Sequence, residues 1–208
     1  MKQKYPRTYH LPWSEGVSDD DKVGSDQHLI GKNVVVTEKM DGECTAIYPN
    51  GQYHARSIDS TSQPWQAPMI NEVLQYLYNE DGCLLKDNQR LYGENMYAKH
   101  SIDYSTLDAW FYAFSLWEDD YCLSFNELES LGVVTPKVLY RGIYDRQKLI
   151  ELATSIETST SEGYVVRLED GFHKDDFSKY VMKFVRKNHV QTDIHWTKSW
   201  VPNKKRFT

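Results

Sequence analysis

Thr37-Glu38-Lys39-Met40-Asp41-Gly42 is the stretch on which the reading of this chain turns. It follows Val34-Val35-Val36, a β-branched run that favours a strand, so a strand over residues 33–38 is expected to end beside Lys39. Gly42 then lets the backbone turn and approach its neighbours closely. A lysine at such a strand end projects into a cleft. Protonated lysine is no nucleophile, and its free pKa is about 10.4. An enzyme that uses it must shift that value by burial or a neighbouring cation. Taken alone, K-x-D-G reads more simply as an exposed lysine at a turn, so the decision lies in the rest of the chain.

Working outward, residues 45–48 and 53–57 read as two strands of a hairpin across the turn Pro49-Asn50-Gly51. Ile70, Val73, Leu74 and Leu77 recur at helical spacing and predict a helix over 69–79. Residues 90–95 and 110–116 read as strands. Ser124 with Glu127 forms a capping-box signature for a helix through Ser130, and Asp145 caps another with Leu149, Ile150 and Leu152 on its apolar side. Residues 164–168 and 180–185 read as strands. The first 30 or so residues read as irregular, punctuated by Pro6, Pro12, Gly16 and Gly24. The sum is a strand-rich α+β chain without internal repeats.

The 208 residues suit one domain. No apolar run reaches the roughly 20 residues of a membrane span, and the N-terminus has no apolar stretch of secretory type. Cys44, Cys83 and Cys122 are odd in number and widely spaced, which points to thiols in a reducing cytoplasm. The net charge of −6 argues against a generally basic, nucleic-acid-coating surface. The basic residues are uneven, however. Lys179, Lys183, Arg186, Lys187, Lys198, Lys204, Lys205 and Arg206 gather near the C-terminus, while Asp19-Asp20-Asp21 reads as a solvated acidic loop.

Downstream of Lys39 come Gly93-Glu94, Phe111-Tyr112-Ala113-Phe114, Glu162-Gly163-Tyr164-Val165-Val166-Arg167 and Val181-Met182-Lys183-Phe184-Val185-Arg186. This ordered series resembles the covalent nucleotidyltransferase superfamily of ATP-dependent DNA ligases, RNA ligases and mRNA capping enzymes. It is most similar to the ATP-dependent RNA ligases, including the phage-type nick-sealing enzymes. The resemblance spans residues 34–186. Each motif alone is weak; their common order and spacing carries the signal.

The resemblance implies an α+β ligase-type nucleotidyltransferase domain. Antiparallel sheets would flank a nucleotide cleft, with no appended oligonucleotide-binding (OB) barrel. Residues 1–208 would form this single domain, with an irregular segment 1–32 and a short basic and aromatic tail 188–208. It implies that Lys39 attacks the α-phosphate of ATP. Glu38 and Arg56 would help hold the nucleotide, Glu94 the ribose, and Phe114 would stack on the base. Glu162, with Glu94, would serve Mg²⁺ or Mn²⁺, and Lys183 would contact the α-phosphate. The family's last motif is usually K-x-K, but Val185 stands where the second lysine belongs. Arg186 or Lys187 is left to supply that charge, Lys187 sharing a face with Lys183 if the strand continues.

The implied activity is joining of 3′-hydroxyl and 5′-phosphate RNA ends or nicks by a cytoplasmic repair enzyme. It would act as a monomer or with a partner protein. RNA is preferred because of the wording of the motifs and because only about 20 residues follow the last one, too few for the five-stranded barrel of most DNA ligases. A minimal DNA ligase, a capping-type guanylyltransferase and a degenerate nucleotide- or RNA-binding module remain alternatives. Trp196 and Trp200, interleaved with His195, Lys198 and Arg206, suit a grip on single strands. His189 and His195 read as surface residues rather than zinc ligands, and Cys44 as a small buried residue.

Overall fold

A computed structural model describes residues 2–59, 61–156, 161–187, 197 and 200–206. His189, His195, Trp196 and Lys198 therefore lie outside the described residues. The valine run does form a strand, β2 (Asn33–Lys39), which carries Lys39 as its last residue. Alternation along β2 sends Val34 and Val36 to one face and Val35 to the other. The first face packs with Leu11, Leu29, Tyr144 and Leu149. Val35 packs instead with Leu116, Phe125 and Leu128. All three valines are fully buried, because both faces of this strand are covered.

Two sheets organise the described residues. The first runs β1 (Tyr9–His10), β13 (Val181–Val185), β11 (Gly163–Leu168), β2 and β10 (Val138–Ile143). Its pairings are antiparallel except for β1, which joins β13 in parallel. The second runs β12 (Phe172–His173), β9 (Tyr121–Cys122), β8 (Phe111–Glu118), β7 (Gln89–Asn95), β3 (Glu43–Ile47) and β4 (Tyr53–Ala55), all antiparallel. Between the sheets lies an aromatic cluster of Tyr92, Trp117, Phe172 and Phe177 with Ala46 and Val181. The expected sheets of a ligase-type fold are present. No separate barrel follows them among the described residues.

The helices form where the sequence places them, with shifted ends. α1 (Gln66–Leu77) buries Met69, Ile70, Val73 and Leu77 against the second sheet. It stops before residues 78–79 because these form β5 (Tyr78–Asn79), which pairs with β6 (Gly82–Cys83) through a tight turn at Gly82. α2 (Phe125–Ser130) has the capping box of Ser124 and Glu127. α3 (Arg146–Ser155) is capped by the Asp145 side chain, which accepts from the Lys148 amide. One expectation fails at 180–185: Tyr180 ends a single helical turn, α4 (Phe177–Tyr180), and the strand begins at Val181. Phe177 draws that turn inward by stacking on Trp117, with centroids 6.1 Å apart.

The opening segment is also more ordered than its composition suggests. β1 pairs with the edge of β13, the Leu11 amide donates to the Lys183 carbonyl at 2.8 Å, and Gly16 donates to Val185 at 2.8 Å. Residues Asp26–Leu29 form a 3-10 turn capped by Ser25. At the other end, Trp200 packs on Trp65 and Tyr97, and Asn203 donates to the Met96 carbonyl at 2.8 Å. Trp200 is thus a packing residue rather than a free stacking platform. No described helix is long and apolar enough to cross a membrane.

Tyr164 ties these parts together. It stacks on Phe184, its hydroxyl donates to the Leu149 carbonyl at 2.8 Å, and it accepts from the Trp13 indole at 2.9 Å. Tyr164→Phe removes the shared partner of two polar groups and is expected to destabilise the chain by about 1–3 kcal/mol. The melting temperature should fall by roughly 3–10 °C. An unchanged melting temperature in calorimetry would show that water substitutes freely for the hydroxyl.

Candidate active site

The strand register brings the distant motifs together. β2 pairs with β11 so that Lys39 lies opposite Gly163, and Glu162 immediately precedes it. Lys39 Nζ donates to Glu162 Oε2 at 2.6 Å. The glycine is required: it sits at φ +156°, and a Cβ there would lie 2.0 Å from the Phe184 carbonyl oxygen. Arg186 braces the same corner. Its amide donates to the Glu162 carbonyl at 3.1 Å and its Nε to the Ser161 carbonyl at 2.9 Å.

Glu94 enters from β7, opposite Cys44 of β3. Gly42 crosses directly above it, where a Cβ would meet the Asn95 carbonyl oxygen at 2.5 Å and Glu94 Cγ at 2.9 Å. The close approach lets the Gly42 amide donate to the Glu94 carboxylate. Burial, with Glu162 and Asp41 nearby, pushes Glu94 up to about 8 despite the attraction of Lys39. Asp41 itself is structural: its Oδ2 accepts from the amides of Ser101 and Ile102 at 2.8 and 2.9 Å. The Asp41 amide in turn donates to the Tyr104 hydroxyl at 3.1 Å.

The electrostatics of Lys39 run opposite to the sequence expectation. Burial lowers its pKa, but Glu162, Glu94 and Asp41 outweigh burial and raise it above the ordinary lysine value. The ammonium is the stable form while both glutamates face it. Lys183, within electrostatic reach of Lys39, is shifted down by burial and by that neighbour, with Asp21 and Glu162 opposing. Arg56 is exposed, yet its charge is felt by both Lys183 and Cys44. Burial pushes the Cys44 thiol up, which makes it inert.

Phe114 turns in between the sheets by an irregularity. β7 and β8 shift register between Tyr92 and Gly93, leaving Phe114 as the extra residue on β8. Such a bulge re-aims side chains. Ala113 and Leu116 face the α1 side, whereas Phe114 joins Val165 and Trp117 between the sheets. Tyr5 meets Phe114 edge-on at 5.1 Å, so the N-terminal segment forms part of this apolar floor.

Three expected residues fall outside the cluster. Glu38 alternates to the opposite side of β2 from Lys39, and its carboxylate, raised by burial, interacts with Lys137 and Ser161. β13 ends at Val185, so the face-sharing argument for Lys187 does not apply; that residue is exposed. Arg186 turns to the Ser161 carbonyl instead of toward Lys39. The acidic run also departs from a simple solvated loop, because Asp21 is held by Ser18 and faces Lys183 at 3.7 Å. Tyr5, His10 and Asp21 are the residues that motif reasoning overlooks.

The donors present suit a hard cation held sparingly. No group of three or more His, Cys, Asp or Glu side chains among the described residues could hold a metal by itself. Glu94 and Glu162 offer two carboxylates beside cationic side chains. That matches Mg²⁺, which binds through one or two carboxylates and takes its remaining ligands from phosphates and water.

The sequence matches the RNA ligase family over residues 32–185. No curated protein matches it. Among solved structures, a putative ATP-dependent DNA ligase from Aquifex aeolicus aligns with a TM-score of 0.59 and 17% identity, covering 89% of this chain and 50% of that one. An archaeal ATP-dependent RNA ligase aligns at 0.56 and 15%, over 88% and 48%. A Naegleria gruberi RNA ligase with pyrophosphate aligns at 0.54 and 18%, over 92% and 64%. The chain spans about half to two thirds of the length of these enzymes, and at such identities the likeness is one of fold.

Glu162→Gln removes a negative partner from Lys39 and should lower its pKa. More free amine is then present at pH 8. Acylation of Lys39, mapped by peptide mass spectrometry, should accelerate in proportion to the free amine, about tenfold if the pKa falls by about one. Equal acylation rates in the two proteins would show that Glu162 does not control this lysine.

Proposed function

The chain belongs to the RNA ligase family, and on that premise we propose that it is an ATP-dependent RNA ligase that forms a covalent lysyl–AMP at Lys39. The observation that carries the reading is the convergence of Lys39, Glu94, Glu162 and Lys183 beside the apolar floor that holds Phe114. Naegleria gruberi RNA ligase structures with ATP and Mn support ATP and a divalent ion as its cofactors.

In the first step Lys39 Nζ attacks the α-phosphorus of ATP; the N–P bond forms as the bond to pyrophosphate breaks. Phosphoryl transfer of this kind asks for positioning and charge neutralisation. Phe114 offers a flat face to the purine. Lys183 supplies positive charge at the α-phosphate, and Arg56, exposed at the rim, supplies it to the outer phosphates. Glu94 accepts from the ribose hydroxyls. A Mg²⁺ or Mn²⁺ ion held through Glu162 and Glu94 would neutralise phosphate charge. Positive charge beside Glu162 and Glu94 would also offset the negative field that keeps Lys39 protonated, so that its proton passes to solvent before the amine attacks. AMP next passes to a 5′-phosphate, and a 3′-hydroxyl displaces it to seal the strand.

Packing of the N-terminal segment on β13 and of residues 200–206 on the loops around Ala98 and Leu107 supports reading 1–208 as one nucleotidyltransferase domain. The free cysteines suit a reducing, cytoplasmic setting. Nucleic-acid ends are the proposed partners, with the chain acting as a monomer.

Incubation with α-labelled ATP and Mg²⁺ should place one label on the protein. Lys39→Ala should abolish it, and chelation should reduce it at least about 100-fold. Labelling of Lys39→Ala to the wild-type level would sink the reading, and preferential labelling by GTP would move it to a capping-type enzyme. Nicked duplexes test the substrate: an all-RNA or RNA-ended nick should seal faster than an all-DNA nick. The reverse order would make it a minimal DNA ligase.

A further inference from the structure

Residues 2–24 lie outside the stretch that matches the family, yet they pack along the strand that carries Lys183. β1 places His10 opposite Lys183 on the neighbouring strand. Paired residues of adjacent strands project from the same face of a sheet, so the two side chains stand side by side. On its other side His10 bridges to Val23; its amide donates to Lys22 at 2.7 Å and its carbonyl accepts from Gly24 at 2.8 Å. That second pairing carries Asp21 into contact. Asp21 Oδ1 lies 3.4 Å from His10 Nε2 and 3.7 Å from Lys183 Nζ.

The carboxylate and the imidazole are themselves held. Asp21 Oδ2 accepts from the Ser18 amide at 3.1 Å and the Ser18 hydroxyl at 2.7 Å. His10 is 1% exposed, and its Nδ1 lies 2.7 Å from Ser14 Oγ, which accepts from the Val185 amide at 2.9 Å. Burial and Lys183 push the imidazole below its ordinary pKa, with Asp21 opposing. The other ring nitrogen, Nε2, is the one that faces Asp21 Oδ1. Burial opposes ionisation of Asp21, but the Ser18 groups, Lys183 and His10 hold it at about 2.

The groups around Lys183 make Asp21 the one that can aim it. Lys39 from β2 and Arg56 after β4 repel it. Glu162 attracts it but is engaged by Lys39 at 2.6 Å. Arg7 reaches Asp21 only at 3.9 Å, at an exposed position. We propose that Asp21, held by Ser18 and flanked by the buried His10, is a positioning residue that orients Lys183 for adenylyl transfer, which makes the N-terminal segment a working part of the cleft. The lysine stem has many rotamers, and a cation displaced by about 1 Å forfeits much of its effect on a transition state. The proposal rests on the reading of Lys39 as nucleophile and Lys183 as the α-phosphate contact.

Single-turnover labelling of the full chain by ATP and Mg²⁺ tests it. Asp21→Asn keeps an acceptor for the Ser18 amide and removes the charge. It should lower the rate at saturating ATP by about tenfold, change the half-saturating ATP by less than about twofold, and leave the melting temperature within about 2 °C. Asp21→Glu should recover much of the rate. A wild-type rate in Asp21→Asn would overturn the proposal. So would a loss confined to half-saturation, a loss that tracks a falling melting temperature, or an Asp21→Glu variant no better than Asp21→Asn. Absence of label on the wild-type protein would instead sink the ligase reading itself, so the two failures are distinguishable.

Discussion

Lys39 and Glu162 are separated by 123 residues in sequence and 2.6 Å in space. The contact depends on the pairing of β2 with β11, and that pairing in turn depends on both strands being buried on the correct face. A slip of one residue would turn Lys39 into the apolar layer with Tyr164 and Val166. The ion pair does not hold the sheet together. Partly buried pairs return little after desolvation, whereas Val34, Val35, Val36, Tyr164 and Val166 each lose contact with water on folding. At roughly 1.5–3 kcal/mol for a fully buried large apolar side chain, those residues determine the register. The sheet delivers the pair, and burial of valines sets the distance between two charged groups.

The same dependence decides which parts of the site can be read from the sequence. Lys39, Glu94, Glu162 and Lys183 each sit in a short local word beside a glycine or within a β-branched strand, and the local word survives folding. Gly42 and Gly163 are legible for the same reason, since the clash a side chain would cause is local to the strand end. Phe114 is identifiable as an aromatic on a strand, but its place between the sheets needs the bulge opposite Tyr92 and Gly93. Nothing in the sequence of β8 announces that extra residue. Arg186 and Lys187 are ambiguous in sequence because parity arguments require a continuing strand, and β13 stops at Val185. The strand β10 is not legible because Arg141 and Gly142 interrupt its apolar pattern.

The charge balance of the cleft also needs three dimensions. A net charge of −6 suggests little affinity for polyphosphates, yet Lys39, Lys183 and Arg56 converge. Their repulsion is offset by Glu94, Glu162 and Asp21, which come from three separate parts of the chain. Glu162 engages Lys39 at 2.6 Å and Asp21 faces Lys183 at 3.7 Å, while Glu94, pushed up to about 8, adds to the field on Lys39. A bound polyphosphate can therefore exchange for carboxylate partners rather than assemble a cationic pocket from solvated side chains, and less reorganisation accompanies the chemistry.

β1 shows how a two-residue strand can serve stability and site construction together. An uncovered β13 would present unpaired backbone groups at the edge of the first sheet, a liability for association with other chains. Leu11, Glu15, Gly16 and the Ser14 hydroxyl satisfy the carbonyls and amide of Lys183 and Val185 instead. Edge protection requires only backbone, so the side chains of the covering strand are free to take other work. The parallel register puts His10, rather than Tyr9, opposite Lys183. The covering strand thereby hands the cleft a buried imidazole and, through Val23, a fixed carboxylate, at a point the family motifs do not reach.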